Sequence, residues 1–279
     1  MEKQIGEILK TDLTDEQKLT LINVIISPKK KEETKSDEIV EKSYDYTKFY
    51  KMIDGKKVLH RENGPAVVSI FGDDEYYRNG LLHRDGDLPA FIDYRGKVQR
   101  YFKHGVMTRE GDKPSEYNYG DIRYTNDKGV LHRENGPAVI TADGIENWYF
   151  NGKLHRDGVK PAIYNKDMTI VKYYKHGNLH RDGDLPASIE NGRTSYYRNG
   201  KLHRDGDLPA IICKTGSTYY YKNGKLHRDG DMPAKIEANG TEIYYKDGNI
   251  HRDGDKPAVI TKNGVKSYYT NDNRTKVEY

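Results

Sequence analysis

One cysteine, one tryptophan and five phenylalanines are spread over 279 residues, of which only 34% are hydrophobic. The lone thiol, Cys213, excludes an intrachain disulfide. No run approaches the 18 or so apolar residues of a membrane-spanning helix. So small an apolar fraction also argues against one thick globular core, and something thinner is expected. Neither sign of charge dominates, since 47 Lys and Arg stand against 43 Asp and Glu for a formal net charge of +4. The repeats contain no long basic run, so a nucleic-acid groove is not demanded and nucleic acid is an unfavoured partner. The chain opens without a basic n-region followed by an apolar h-region, which places it, as an expectation, in the reducing cytoplasm.

What is abundant is tyrosine, with 24 residues, and a strict internal period. His60, His83, His132, His155, His180, His203, His227 and His251 each precede an arginine, and Thr108 before Arg109 fills the one gap, giving nine units 23 to 25 residues apart. After each arginine come an acid, a glycine and then Pro65, Pro89, Pro114, Pro137, Pro161, Pro186, Pro209, Pro233 or Pro257. Alanine follows every one of these prolines except at Ser115. The residues after it, such as Val67-Val68, Val139-Ile140 and Ile211-Ile212, are β-branched and predict short strands.

Each strand runs into a dipeptide such as Asp143-Gly144, Asn191-Gly192, Asn239-Gly240 or Asn263-Gly264, read as a type I′ hairpin turn. A second strand then ends in an aromatic pair, from Tyr76-Tyr77 to Tyr268-Tyr269. Neighbouring strand residues face opposite sides, so one ring is expected inside and the next exposed. A second glycine turn, as at Asn79-Gly80 or Asn151-Gly152, leads into Leu-His-Arg, which spacing leaves open as a short third strand or a loop. The fold expected is mainly β: an elongated array of nine β-hairpin repeats of about 24 residues over 46–279, as a solenoid or meander. Two strands of about 4.8 Å each advance it by about 10 Å per repeat.

The unit aromatic-Tyr-x-Asn-Gly-x-Leu-His-Arg followed by Gly-Pro-Ala resembles the MORN-like variant repeats, over about residues 49 to 279. Its look-alikes occur in large DNA viruses of amoebae and in some bacteria and phages. The resemblance implies a viral, giant-virus β-hairpin scaffold for protein association, in the host cytoplasm or with the virion. His-Arg replaces the commoner glycine-rich pair, so a membrane role is not carried over.

Residues 1–45 differ in character. Thr14-Asp15-Glu16-Gln17 matches a capping box ahead of Leu19, Ile22 and Ile26, and Ser27-Pro28 ends the pattern. One or two short α-helices over 1–27 are therefore expected, as a cap on the array or a partner-binding arm. The charged stretch 28–45 reads as a linker.

A catalytic centre needs several different groups converging at one place, whereas the candidate groups here recur evenly along a line. No enzyme activity, cofactor or metal site is expected. Histidines one repeat apart, at about 10 Å, cannot share a zinc ion that holds nitrogen at about 2.0 to 2.1 Å. The Asp-Gly-Asp loops resemble calcium ligands, but Arg61-Glu62-Asn63-Gly64-Pro65 serves the same position without the second acid, so a turn with arginine-paired acids is preferred. The expected binding surface is a ladder of Tyr77, Tyr149, Tyr174, Tyr197, Tyr221 and Tyr245 with Arg84, Arg156, Arg181, Arg204 and Arg228, residue types that often carry interface energy. The function read from this is a non-enzymatic scaffold that binds another protein. Self-association as a structural component of a particle is the first alternative. An aromatic platform for glycan or single-stranded nucleic acid is the second.

Overall fold

The computed structural model describes residues 38–279 together with Lys18. The expected N-terminal helices, with Leu19, Ile22 and Ile26, lie outside the described residues. The chain divides into two compact units, Met1–Leu131 and His132–Tyr279. Both are β throughout their strands, and each is an antiparallel meander.

In the first unit the main sheet runs, each strand antiparallel to the next, through Ile39–Lys42, Tyr46–Ile53, Val67–Ser69, Asp74–Glu75, Phe91–Ile92, Val98–Arg100, Glu116–Asn118 and Asp121–Arg123. In the second it starts at Val139–Ile140 and Glu146–Asn147 and ends at Val259–Ile260, Lys266–Thr270 and Asn273–Glu278. Two main strands per repeat agree with the sequence reading. The Leu-His-Arg segment proves to hold two elements. Its leucine belongs to a second, smaller hairpin, such as Tyr197–Arg198 with Lys201–Leu202 or Tyr221–Lys222 with Lys225–Leu226, and the His-Arg pair bends away into the proline loop. A full repeat therefore carries four short strands.

The turn types are distributed differently from the expectation. Type I′ geometry, with positive φ at both central residues, belongs to the small hairpins, as at Asn199 (φ 50 within 1°, 49°) and Gly200 (78°). At Asp143-Gly144, Asn239-Gly240 and Asn263-Gly264 only the glycine is left-handed, and its amide bonds back to the carbonyl three residues earlier. That is a type I turn closed by a left-handed glycine, the usual three-residue hairpin loop. Asn191-Gly192 alone of the four has both φ positive. Cys213 also stands at the start of such a turn, where its carbonyl accepts the Gly216 amide, and the strand ends at Ile212.

The core is narrow and is centred on the Pro-Ala step. Ala66, Ala90, Ala138, Ala162, Ala187, Ala210, Ala234 and Ala258 are all 0% exposed, as is Ser115. The reason is that each lies in the ladder between two aromatic residues' strands. Ala210, for example, accepts the Tyr196 amide at 2.7 Å, and Ala234 accepts that of Tyr220 at 2.7 Å. Side chains so fully covered leave no free space, and a much larger one must displace packed neighbours.

Longer strands stand at both ends of the stretch 38–279. Tyr46–Ile53 spans the main sheet and the small-hairpin tier at once, pairing with Val67–Ser69 through its first half and with Lys56–Leu59 through its second. Phe49 thereby occupies the first-ring position, its amide on Ala66 and its carbonyl accepting His60. Phe49-Tyr50 is thus an aromatic pair absent from the sequence reading. The strand Ile39–Lys42 begins inside the segment expected as linker, because Ser43 Oγ accepts the Asp45 and Tyr46 amides and turns the chain back. At the other end Asn273–Glu278 folds over Lys266–Thr270, with Lys276 rather than an arginine above the Tyr268 ring, at 5.0 Å.

Replacing Ala210 by leucine should therefore destabilise the fold by about 1 to 3 kcal/mol through overpacking, read as a lowered urea midpoint. The same change at the exposed Lys214 should leave the midpoint within about 0.5 kcal/mol.

Candidate interaction surface

Each repeat's arginine is held by its own sequence. The guanidinium carbon lies 3.5–3.9 Å from the first-ring centroid in the pairs Arg61–Phe49, Arg84–Tyr76, Arg109–Tyr101, Arg156–Trp148, Arg181–Tyr173, Arg204–Tyr196, Arg228–Tyr220 and Arg252–Tyr244. In the same residues Nη1 donates to the carbonyl of the proline that follows, as from Arg84 to Pro89 at 3.2 Å and from Arg228 to Pro233 at 3.3 Å. A flat cation that stacks and donates in its plane at once is a role lysine cannot fill.

The two acids of the Asp-Gly-Asp loop take separate jobs. The second pairs through both oxygens with the next repeat's arginine: Asp87 with Arg109, Asp184 with Arg204, Asp207 with Arg228 and Asp231 with Arg252. Their carboxyls are held below the usual aspartate range, first by the arginine hydrogen bonds. The first acid faces its own repeat's histidine, as in His180–Asp182 at 2.9 Å and His203–Asp205 at 3.0 Å, and in most repeats also a basic residue of the small hairpin, such as Lys175 or Lys222.

The histidines link one repeat to the next. Nδ1 of His60, His83, His132, His155, His180, His203, His227 and His251 lies 3.1–3.4 Å from the amide nitrogen of the left-handed turn residue in the following small hairpin or, for His251, in the turn between Lys266–Thr270 and Asn273–Glu278. A backbone N–H can only donate, so each Nδ1 presents a lone pair and the ring proton sits on Nε2, which in His83, His155, His180, His203, His227 and His251 faces the loop acid. Beside this bond the turn glycine donates to the preceding leucine carbonyl, as from Gly200 to Leu179 at 2.9 Å and from Gly224 to Leu202 at 2.8 Å.

These contacts separate the residues expected to form one ladder. Arg84, Arg156, Arg181, Arg204 and Arg228 lie over first rings, and the side chains of Arg204 and Arg228 are only 13% and 12% exposed. The second rings form a different set. Burial is the main cause that raises the Tyr174 hydroxyl, with Tyr149 and Tyr197 contributing from the repeats on either side. Tyr221 is raised in the same way, with Tyr197, Tyr219 and Tyr245 near it and Arg193 opposing. Tyr149, Tyr174, Tyr197, Tyr221 and Tyr245 are thus brought together in the second unit as a half-buried line of hydroxyls. In the first unit Tyr77 donates to Glu75 at 2.8 Å, and burial followed by that bond pushes its hydroxyl up to about 12.

A further row has the same recurrence. Leu185, Leu208 and Met232, each directly before a repeat's proline, are 49%, 44% and 47% exposed. Its signal lay in the sequence as a hydrophobic residue in an otherwise charged loop. The repeat with Thr108 is built differently. Glu116, 3% exposed at the position held by Val67, Phe91, Val139, Ile163, Ile211 and Val259 in six other repeats, is held by Arg100 at 2.7 Å and Arg123 at 2.9 Å. The small hairpin that follows shrinks to a single bridge, Thr125 to Leu131, with Thr125 Oγ1 donating to the Met107 carbonyl.

Among the described residues no group of three or more His, Cys, Asp or Glu stands close enough to hold a metal ion, and no helix is long and apolar enough to cross a membrane. Compared with protein-family models, curated proteins and solved structures, the chain matches none.

The Arg84–Tyr76 stack should be measurable in isolation. Changing Arg84 to alanine leaves the Pro89 carbonyl without its donor and should cost about 1 to 3 kcal/mol. A double-mutant cycle with Tyr76→Leu should return a coupling of about 0.5 to 2 kcal/mol by denaturant titration. Additive losses would mean that the stack contributes nothing.

Proposed function

We propose that this chain is a non-enzymatic scaffold that binds a protein partner through its repeats, as the resemblance to viral MORN-like repeat proteins implies. The observation that carries the reading is recurrence without a centre. Histidine, arginine and aspartate, the side chains that could do chemistry, are engaged by their neighbours in the same way in successive repeats. What remains outward in register is the tyrosine line of the second unit, a stretch of half-buried rings with polar tips suited to a protein surface. On this reading the partner meets several repeats at once, and affinity is spread over them. The expected location is the cytoplasm of an infected host.

A particle component that assembles through its ends is a second reading. The outermost strands favour it, because Ile39–Lys42 and Asn273–Glu278 each pair on one side only among the described residues. An unpaired edge can accept another strand, although the lysine and glutamate side chains there oppose it.

Photo-crosslinking residues placed at Tyr197 and at Tyr221 should capture one and the same protein from the source cell. The double variant Tyr174→Ala/Tyr221→Ala should weaken its capture at least tenfold with the far-ultraviolet spectrum unchanged. Crosslinks that appear only after concentration, and only between copies of the chain, would replace this reading with the particle component.

A further inference from the structure

We infer that the eight histidines form an acid-released latch, which lets go of the small hairpins when the imidazoles take up a second proton while the main sheet stays paired. The geometry sets the direction. Each latch is a lone pair on Nδ1 facing a backbone N–H, and a second ring proton has nowhere else to go. Protonation turns the acceptor into a donor aimed at a donor, so the contact changes from attractive to repulsive. Every amide involved belongs to a residue held at positive φ, from Asn151 at 47° to Asn223 and Asp247 at 52°. Such a turn cannot easily re-aim its N–H without leaving the left-handed region.

The groups around each ring decide how far this is offset. On the loop side stand the acids, Asp182, Asp205, Asp229 and Asp253, which would attract an imidazolium. They are 70–79% exposed, so their pull is screened by water. From the small hairpin Lys175, Arg198, Lys222 and Lys246 already pair with the same four carboxylates. The rings themselves are only 9–17% exposed in those repeats, and for His203 burial disfavours the charged form. From the following turn His227 alone meets an acid, Asp247 at 3.4 Å, and this step should release last. His83 and His155 meet another imidazole there, His104 and His176, stacked at 4.3 and 4.4 Å, so that two charges would repel. His60 faces Lys51 and Arg78 with Glu62 opposing, and its Nε2 is enclosed without a partner.

Burial lowers the proton affinity of His60 and His203 from the ordinary histidine value, with nearby cations adding to it. A group depressed in the folded state contributes stability above its unfolded pKa of about 6.5 and loses it as pH falls through the folded value. For these two latches the window of release is therefore below about pH 6.5. No histidine takes part in the backbone ladder of the main sheet, whose bonds join residues such as Thr194–Ile212 and Ile211–Tyr219.

Hydrogen exchange on the full chain tests this directly. Between about pH 7.5 and 5, after correction for intrinsic exchange, the amides of Asn199, Asn223 and Asn271 should lose protection by on the order of tenfold. Those of Ala162, Ala187 and Ala258, which donate to the main-strand carbonyls of Lys172, Ser195 and Ser267, should keep theirs. The triple variant His180→Asn/His203→Asn/His251→Asn, in which a side-chain oxygen replaces the Nδ1 lone pair without titrating, should hold the three turn amides at the lower pH. Unchanged protection in the wild type would overturn the proposal, and so would an equal loss in the variant, which would assign the effect to the aspartates. Should the variant fail to fold, imidazole nitrogen shifts of the wild type decide the matter. Protons on Nδ1 at neutral pH would overturn it, and protons on Nε2 that are joined by Nδ1 protons below about pH 6.5 would support it.

Discussion

The arginine that lies on a ring while donating to a proline carbonyl is the contact on which each repeat depends. A chain with so few aliphatic residues has little oil to bury, and a fully enclosed alanine contributes only a methyl group. The ring supplies area, and the guanidinium covers its face while keeping its own charge satisfied in the plane. Because that plane also reaches the aspartate of the preceding repeat, one side chain ties three things together: its own strand end, its own proline loop and the neighbouring repeat. Lysine at the same place would keep the charge but lose the stack and the fork.

Within each unit the same logic makes stability a matter of nearest neighbours. Repeat to repeat, the terms are the main-strand ladder, the leucine–glycine backbone bond, the histidine–turn bond and the aspartate–arginine fork. The repeat with Thr108 drops the histidine term, and the small hairpin that follows keeps one bridge and a threonine hydroxyl bond in its place. Glu116, paired with the part-exposed Arg100 and Arg123, puts a buried carboxylate where six other repeats are apolar. Such a pairing is costly to desolvate and adds little stability over an aliphatic residue, so this repeat differs from the rest in what holds it.

Much of this was legible in advance, because each cue was local. The period, the strands after Pro-Ala and the reversal at Asn-Gly follow from backbone preferences that act within a few residues. What escaped was set by partners one repeat away. Nothing in the order Leu-His-Arg says that the leucine pairs back on the aromatic strand while the histidine reaches forward to the next turn. The two aspartates of one loop look alike in sequence, yet one serves its own histidine and the other the next arginine. Phe49-Tyr50 was hidden because no proline precedes it, and Ile39–Lys42 because its neighbours are mostly lysine and glutamate. The tyrosine and arginine positions recur in register, but side-chain packing, which decides that the arginines are covered and the second rings half-open, is not written in spacing.

The division of labour inside the aromatic pair follows from this. The first ring is committed to its arginine and so cannot change without loosening the repeat, which is why tryptophan and phenylalanine also serve there, as Trp148 and Phe49. The second position has no such clamp, yet from Tyr77 to Tyr269 it is tyrosine in eight of the nine pairs now recognised apart from Phe102, with Tyr50 included. A position free of a structural clamp that nevertheless keeps a hydroxyl is under some other demand. On the scaffold reading proposed above, hydrogen bonding outward from a half-buried ring would meet that demand, with recognition resting on the second rings and folding on the first.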